Sequence, residues 1–228
     1  RDLQKIDIIK KSIDNSLNKD NLEFCELNLL NDKGWNKALK DCDYLMHIAS
    51  PCIIKEPKEE SQIINPAVEG TLRALHAANK SKIKKVVLTS SIGAMVYGDK
   101  TKICETSDWT NIAKNVGSYI KSKTLAEKAA WNYINKLSKP PFSFTSINPG
   151  MVFGPVLNGD LEGVSQDMIL NLIKGEYPLL PNIYFSVVDV RDVAMIHVEA
   201  LQKKESDNNR LIVSSKKSIS FLEISKTL

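Results

Sequence analysis

Several residue types and patterns are scarce or missing in this chain of 228 residues. Only four of its 31 basic residues are arginine, and no dense basic cluster is interleaved with aromatic residues, so we expect no nucleic-acid partner. The four cysteines form no C-x-x-C pair, and their spacing from the three histidines indicates no metal site. No apolar run reaches the length of about 18 residues that a membrane span needs, and no signal peptide is present. These absences predict a cytoplasmic protein that binds no membrane.

The composition is that of a globular protein, with 43% hydrophobic and 25% charged residues. Short apolar runs alternate along the chain with segments of helical periodicity. Strands are predicted at Leu22–Leu27, Tyr44–Ala49, Val86–Thr89 and Phe142–Asn148, and helices at Trp35–Leu39, Glu60–Asn79 and Ser118–Leu137. Strands without polar alternation, separated by helices, are typical of βαβ units. The sequence therefore predicts an α/β fold with a parallel sheet.

Small and hydroxyl-bearing residues follow the ends of the predicted strands. They are Asn28-Leu29, Ala49-Ser50, Thr89-Ser90-Ser91 and Asn148-Pro149-Gly150. Ligands of open parallel sheets bind beyond the carboxyl ends of the strands, and small residues allow a close approach there. A hydroxyl such as that of Ser91 can stabilise charge that develops on a substrate oxygen. Each of these ends, taken alone, is explained as well by a simple turn.

Tyr119 and Lys123 lie four residues apart at the start of a predicted helix, so their side chains share one face. A free tyrosine has a pKa of about 10 and is a poor proton donor near neutrality. A nearby cation lowers that pKa, which makes the phenol a usable general acid. Reduction of a carbonyl group by a nicotinamide cofactor needs such a donor. The spacing by itself is weak, because a lysine-rich chain with six tyrosines contains such a pair by chance about as often as not.

Six segments strengthen this interpretation by their order and spacing. They are Asp43–Pro51, Asn65–Thr71, Val87–Ser91, Tyr119–Trp131, Ile147–Pro155 and Val188–Ala194. Together they resemble the extended short-chain dehydrogenases/reductases, and most closely the branch of dihydroflavonol reductases, cinnamoyl-CoA reductases and aldehyde reductases. The resemblance covers nearly the whole chain. It implies a Rossmann-type doubly wound parallel sheet with a small substrate-side lobe.

The resemblance also implies residue roles. Tyr119 would donate a proton to the carbonyl oxygen, Lys123 would lower the pKa of Tyr119 and hold the nicotinamide ribose, and Ser91 would bind the carbonyl oxygen. Ser90 is the less suitable of the two neighbouring serines. Besides Tyr119 and Lys123, the implied cofactor-binding residues are Arg1, Asn28, Leu29, Ala49, Ser50, Thr89, Pro149 and Val152. Asn28 stands where the family often has Asp, and the exchange keeps a hydrogen-bonding oxygen.

Arg1 decides which cofactor the resemblance implies. An Arg-Asp pair follows the second strand in this family, and its arginine faces the 2′-phosphate of NADP. A guanidinium suits a phosphate, so NADP is expected and NAD is less suited. A terminal arginine in solvent is the alternative interpretation. The glycine-rich phosphate-binding turn of the family is missing, and we expect it, with the first strands, upstream of Arg1.

The expected activity is NADPH-dependent reduction of a small aldehyde or ketone by a monomer or homodimer. Residues 1–148 would form a truncated dinucleotide-binding core, and residues 149–228 a substrate-side segment of the same folding unit, incomplete at its C-terminus. Three alternatives stay open. They are an NAD-dependent nucleotide-sugar epimerase or dehydratase, an enzyme like the 3β-hydroxysteroid dehydrogenases, and a non-catalytic NADP-binding sensor.

Overall fold

The computed structural model describes residues 6–13, 21–53, 55–97, 104–156 and 163–228. Its helices are α1 (Ile6–Ser12), α2 (Trp35–Ala38), α3 (Ser61–Lys80), α4 (Ser118–Lys136), α5 (Val164–Ile173), α6 (Val190–Gln202) and α7 (Phe221–Thr227). Its strands are β1 (Tyr44–His47), β2 (Lys85–Thr89), β3 (Ser143–Pro149), β4 (Met151–Phe153), β5 (Tyr184–Phe185), β6 (Val187–Asp189), β7 (Arg210–Val213) and β8 (Ile219–Ser220). None of these described helices is both long and apolar enough to span a bilayer.

The main sheet contains four parallel strands in the order β1-β2-β3-β7. Leu45 of β1 pairs with Val86 of β2, and Val86 pairs in turn with Phe144 of β3. At the other end of β3, Ile147 pairs with Leu211 of β7. Because all four strands run in the same direction, their carboxyl ends lie along one edge of the sheet. Any ligand of such a sheet is expected at that edge.

Helices cover the main sheet on both faces because its strands are apolar on both sides. Val86, Leu88 and Phe144 point to one face, where they share a core with α3 and α4. Val87 and Ile147 point to the opposite face, where they pack against α6. The alternation follows from the strand period of two residues. This arrangement confirms the predicted doubly wound α/β fold.

The strand predicted at Leu22–Leu27 is wrong. Residues 22–28 have no regular secondary structure, although the side chain of Leu27 packs against the core formed with α3 and α4. A strand is defined by hydrogen bonds to a neighbour, and none of the described strands is paired with this segment. An apolar run indicates that a segment is buried, but a buried segment is not always a strand.

The part of the chain after β3 forms smaller units. Strand β4 pairs with β6 in parallel, and β5 pairs with β8 in antiparallel orientation. Helix α5 contains no fully buried residue. Strand β7, however, returns to the main sheet beside β3. The division of the chain at residue 148 stays a prediction.

Candidate active site

Helix α4 begins next to the candidate tyrosine, and its start is fixed by a glycine and a remote carboxylate. Gly117 has a φ of 82°, a left-handed conformation that favours glycine. A Cβ at Gly117 would lie 3.0 Å from Glu56 Oε1. The Glu56 carboxylate accepts hydrogen bonds from the backbone N–H of Ser118, at 3.1 and 3.3 Å. A carboxylate at a helix N-terminus is favourable, and here it holds the turn that carries Tyr119. Sequence analysis missed Glu56.

Tyr119 and Lys123 share one face of α4, as predicted. The Lys123 ammonium lies 6.0 Å from the centroid of the Tyr119 ring. The Lys123 residue is only 7% exposed, and burial lowers its pKa to about 8. The charges of Cys52 and Glu127 act in the opposite direction and favour the ammonium form.

The expected lowering of the Tyr119 pKa does not occur in this structure. Burial raises the pKa of Tyr119 above its ordinary value, and the nearby thiol of Cys52 raises it further. A hydrogen-bonding interaction from Ser91 lowers it and is outweighed. The sequence prediction considered only the charge of Lys123 and could not anticipate how far the phenol is desolvated. Tyr119 is therefore a fully protonated phenol at neutral pH.

Cys52 is the second site residue that sequence analysis missed. The residue is exposed, and its thiol lies within hydrogen-bonding reach of the Tyr119 hydroxyl. Partial desolvation raises the pKa of Cys52, while the charge of Lys123 and the Tyr119 hydroxyl lower it. The sequence offered one signal, because Cys52 directly follows the segment Ala49-Ser50-Pro51 at the end of β1.

Ser91 and Ser90 have different surroundings at the end of β2. Ser91 precedes a 3₁₀ turn at Ile92–Ala94, and its hydroxyl oxygen accepts a hydrogen bond of 3.0 Å from the Gly93 N–H. The turn approaches α4 closely, since a Cβ at Gly93 would lie 2.7 Å from Ile120 Cδ1. Ser91 therefore faces Tyr119. Ser90 points into the interior, where it donates a hydrogen bond of 2.5 Å to Glu127 Oε2.

Glu127 is a buried carboxylate one helical turn after Lys123, and sequence analysis assigned it no role. It is fully buried and accepts five hydrogen bonds. Its Oε2 accepts hydrogen bonds from Ser90 Oγ at 2.5 Å and from Asn148 Nδ2 at 2.7 Å. Its Oε1 accepts hydrogen bonds from Ser146 Oγ at 2.8 Å, from Arg210 Nε at 2.7 Å and from Trp131 Nε1 at 3.3 Å. The carboxylate thus joins α4 to β3, to β7 and to the end of β2.

Three of the predicted cofactor residues lie beside Lys123. Ala49, Ser50 and Thr89 line a small cavity together with Lys123 and Glu127. The Thr89 hydroxyl is also 2.7 Å from His197 Nε2. His197 is buried and its Nδ1 lies 2.7 Å from the carbonyl oxygen of Val193, so Nδ1 donates there and Thr89 donates to Nε2. Thr89 therefore contributes to packing between β2 and α6 as well as to the cavity.

The predicted cofactor-binding residues Asn28 and Leu29 lie in a different cavity. Asn28, Leu29 and Ala49 line a space of about 660 Å³ next to β1. Asn28 is exposed, and its Oδ1 accepts a hydrogen bond of 2.9 Å from the Leu30 N–H. The carbonyl oxygen of Leu29 accepts a hydrogen bond of 2.6 Å from Arg73. Ala49 lines both cavities, so this space is adjacent to the one at Lys123.

Pro149 and Val152 lie on successive strands, and Arg1 lies outside the described residues. Pro149 is buried at the end of β3, opposite Val213 of β7. Val152 lies on β4 and lines a mainly apolar cavity of about 360 Å³ beside α5. That cavity also contains Ile169 and Leu170. In the described part of the chain no group of three or more metal-ligating side chains comes together.

Comparison with known proteins gives a consistent result. The model of the NAD dependent epimerase/dehydratase family matches residues 5–213. A cinnamoyl-CoA reductase of Medicago truncatula is 37% identical over 205 residues, which are 86% of this chain and 61% of that protein. The NADPH-dependent methylglyoxal reductase of Saccharomyces cerevisiae is 32% identical over 202 residues, covering 80% of this chain and 59% of that protein.

Solved structures agree with these sequence relatives. Yeast methylglyoxal/isovaleraldehyde reductase complexed with NADPH superposes with a TM-score of 0.75 at 29% identity, and the match covers 85% of this chain and 63% of that chain. A UDP-glucose 4-epimerase of Thermotoga maritima superposes with a TM-score of 0.73 at 20% identity, which shows the fold alone. This chain spans about three fifths of the length of the relatives it matches. Since the family model matches most of its residues, the chain belongs to the NAD-dependent epimerase/dehydratase family, the extended short-chain dehydrogenases/reductases.

Proposed function

We propose that this protein catalyses the NADPH-dependent reduction of an aldehyde or a ketone to an alcohol. The observation that carries the proposal is the grouping of Ser91, Tyr119 and Lys123 at the carboxyl edge of the parallel sheet. The names of the matched relatives support the reaction class, since they include a cinnamoyl-CoA reductase and an NADPH-dependent methylglyoxal reductase. The substrate would be a small carbonyl compound.

Lys123 fits the ribose of a nicotinamide cofactor. Lys123 is 7% exposed and lines the small cavity that Ala49 and Ser50 also border. Ribose hydroxyls in that cavity would accept hydrogen bonds from its ammonium. Asn28 and Leu29 line the larger cavity, which Ala49 also borders. NADPH, when bound, supplies the hydride for the carbonyl carbon.

The residues of this chain then handle the proton and the oxygen. Tyr119 is protonated at neutral pH, so it can donate its proton when negative charge develops on the carbonyl oxygen. The Ser91 hydroxyl reaches the same position and donates a hydrogen bond to that oxygen. The charge of Lys123 stabilises the phenolate that Tyr119 becomes after the transfer. Substrate binding would displace the Tyr119 hydroxyl from Cys52.

The test is NADPH consumption by the protein expressed from its complete reading frame, with a panel of aliphatic and aromatic aldehydes and ketones. Tyr119→Phe removes the proton donor and keeps the ring, so we expect a loss of kcat of about 100-fold or more. Tyr133→Phe is the matched control, because Tyr133 lies on the same helix and packs against the ring of His76. That control should retain turnover.

Other outcomes would favour the alternatives. Stoichiometric NAD retained through purification, with no net carbonyl turnover, would indicate an epimerase or dehydratase. Turnover confined to hydroxysteroids would indicate the steroid dehydrogenase alternative. Binding of NADP without any turnover, and with Tyr119→Phe binding equally well, would indicate a sensor.

A further inference from the structure

The two carboxylate oxygens of Glu127 bind different parts of the candidate active site. Two hydrogen-bond routes connect its Oε2 to the backbone around Ser91. Ser90, the residue before Ser91, donates to that oxygen at 2.5 Å. Asn148 Nδ2 donates to the same oxygen at 2.7 Å and to the backbone carbonyl of Ser91 at 3.0 Å. Both routes therefore fix the backbone that carries the Ser91 hydroxyl.

The position of Glu127 on α4 links these bonds to the other two site residues. Tyr119, Lys123 and Glu127 are spaced at four-residue intervals, so they lie on one face of the helix. A movement of the Glu127 carboxylate would therefore change the distance between Ser91 on the strand side and Tyr119 on the helix side. From this face of α4, Glu127 contacts the residue before Ser91 directly and reaches the Ser91 carbonyl through Asn148.

A carboxylate is required at this position because every partner donates to it. An amide would turn its own NH₂ group toward Asn148 or Arg210, both of which are donors. The charge is balanced by the Arg210 guanidinium at 2.7 Å, and the two side chains are 9% and 0% exposed. Arg210 is itself held by the carbonyl oxygens of Thr106 and Asp108, at 2.7 and 2.6 Å, and by the Trp109 ring at 3.7 Å.

We propose that Glu127 is a positioning residue that holds Ser91 in register with Tyr119 and Lys123. This inference rests on the proposed carbonyl reduction. The Glu127 side chain is fully buried, and its carboxylate oxygens are occupied by protein donors. It acts through Ser90 and Asn148 on the serine, and through its charge on Lys123.

The charge of Glu127 raises the pKa of Lys123. The ionisable groups around Lys123 are Tyr119 and Glu127 on its own helix, Cys52 on the preceding loop and His47 at the end of β1. Burial lowers the pKa of His47 to about 4, so it is neutral above pH 7. Glu127 and Cys52 raise the pKa of Lys123 against the effect of burial. Removal of the Glu127 charge should therefore lower the pH at which Lys123 loses its proton.

The first experiment compares Ser90→Ala with Ser146→Ala in the full-length protein. Each variant removes one buried hydroxyl that donates to Glu127, at 2.5 and 2.8 Å respectively. Of these two serines only Ser90 adjoins Ser91 in the chain, whereas Ser146 Oγ lies on the other side of the carboxylate, 3.3 Å from Asn148 Oδ1. We expect kcat to fall about 10- to 100-fold in Ser90→Ala with KM nearly unchanged, and less than about twofold in Ser146→Ala. Equal losses of kcat in the two variants would show that Glu127 is merely part of the core, and would overturn the proposal.

The second experiment does not depend on turnover. In Glu127→Gln at about pH 8, Lys123 should be less charged, and the Cys52 thiol should therefore be less ionised. We expect peptide-resolved alkylation of Cys52 by iodoacetamide to slow about twofold or more, relative to the exposed Cys25 in the same sample. An unchanged ratio of the two rates would refute the coupling between Glu127 and Lys123. If the wild-type protein reduces no carbonyl compound while the ratio still changes, the proposed function fails and the coupling stands.

Discussion

The junction of β2, β3 and α4 differs sharply from the cavity beside α5. At the junction, Glu127 is fully buried and accepts five hydrogen bonds, and its ion-pair partner Arg210 is nearly buried as well. Beside α5, Ile169 and Leu170 line a space of about 360 Å³, and the helix has no fully buried residue. A buried carboxylate with five hydrogen bonds holds the elements around it in place, whereas partly exposed apolar side chains can repack at little cost. The comparison indicates that the geometry at the candidate active site is fixed while the apolar cavity is adaptable.

The largest effect should come from breaking the buried ion pair. Arg210→Met leaves Glu127 charged and without its counter-ion, so we expect a loss of about 3–5 kcal/mol in the free energy of unfolding. Urea unfolding followed by circular dichroism measures it. Lys84→Met is the control, because the Lys84–Asp43 pair is exposed, with side chains 66% and 62% accessible. If both variants unfold at the same urea concentration, the junction is no more rigid than the surface.

His47 should make the stability of the protein depend on pH. His47 is 6% exposed, and burial lowers its pKa from 6.5 to about 4, with a smaller contribution from the charge of Lys123. Between these two values the unfolded chain binds the proton that the folded chain excludes. The contribution of His47 to the free energy of unfolding is therefore fully present above pH 6.5. It decreases by about 3 kcal/mol as the pH drops toward 4.

Replacement of the imidazole tests this sign. His47→Leu should flatten the pH dependence between pH 4 and pH 6.5 by about that amount, measured by urea unfolding at several pH values. An unchanged slope in His47→Leu would mean that the folded protein binds the proton at His47 as readily as the unfolded chain does.

The smallest effect should come from the cavity beside α5. Leu75→Ala on α3 removes a side chain that is only 1% exposed, and should cost about 2–5 kcal/mol. Leu170→Ala makes the same chemical change on a partly exposed side chain, and should cost less than about 1 kcal/mol. Under the proposed function, Leu170→Ala should instead change KM for bulky carbonyl compounds. A large loss of stability in Leu170→Ala would show that this cavity is as rigid as the core.

Much of the fold could be predicted from local patterns. Helix α4 follows from its strong helix formers, and the shared face of Tyr119 and Lys123 follows from the helical period. Strands β2 and β3 follow from apolar runs that are buried on both faces. The predicted strand at Leu22–Leu27 failed because the sequence pattern cannot supply a hydrogen-bonding neighbour.

Other features depend on residues that are distant in sequence. The cap of α4 comes from Glu56, 62 positions before Ser118, and the counter-ion of Glu127 lies 83 positions away at Arg210. The choice between Ser90 and Ser91 depends on which hydroxyl faces Tyr119 once β2 packs against α4. No local pattern contains these contacts, because each is formed only when separate elements meet.

The sequence by itself determined the family and predicted the candidate site residues Ser91, Tyr119 and Lys123, through residue types and spacings that are local and set by helical and strand periods. Only the tertiary structure decided the electrostatics. The pKa of Tyr119 is raised and that of Lys123 is lowered, because the effect of burial on each pKa is larger than the opposing effects of neighbouring groups. Desolvation depends on everything that surrounds a group, and this environment exists only in the folded chain.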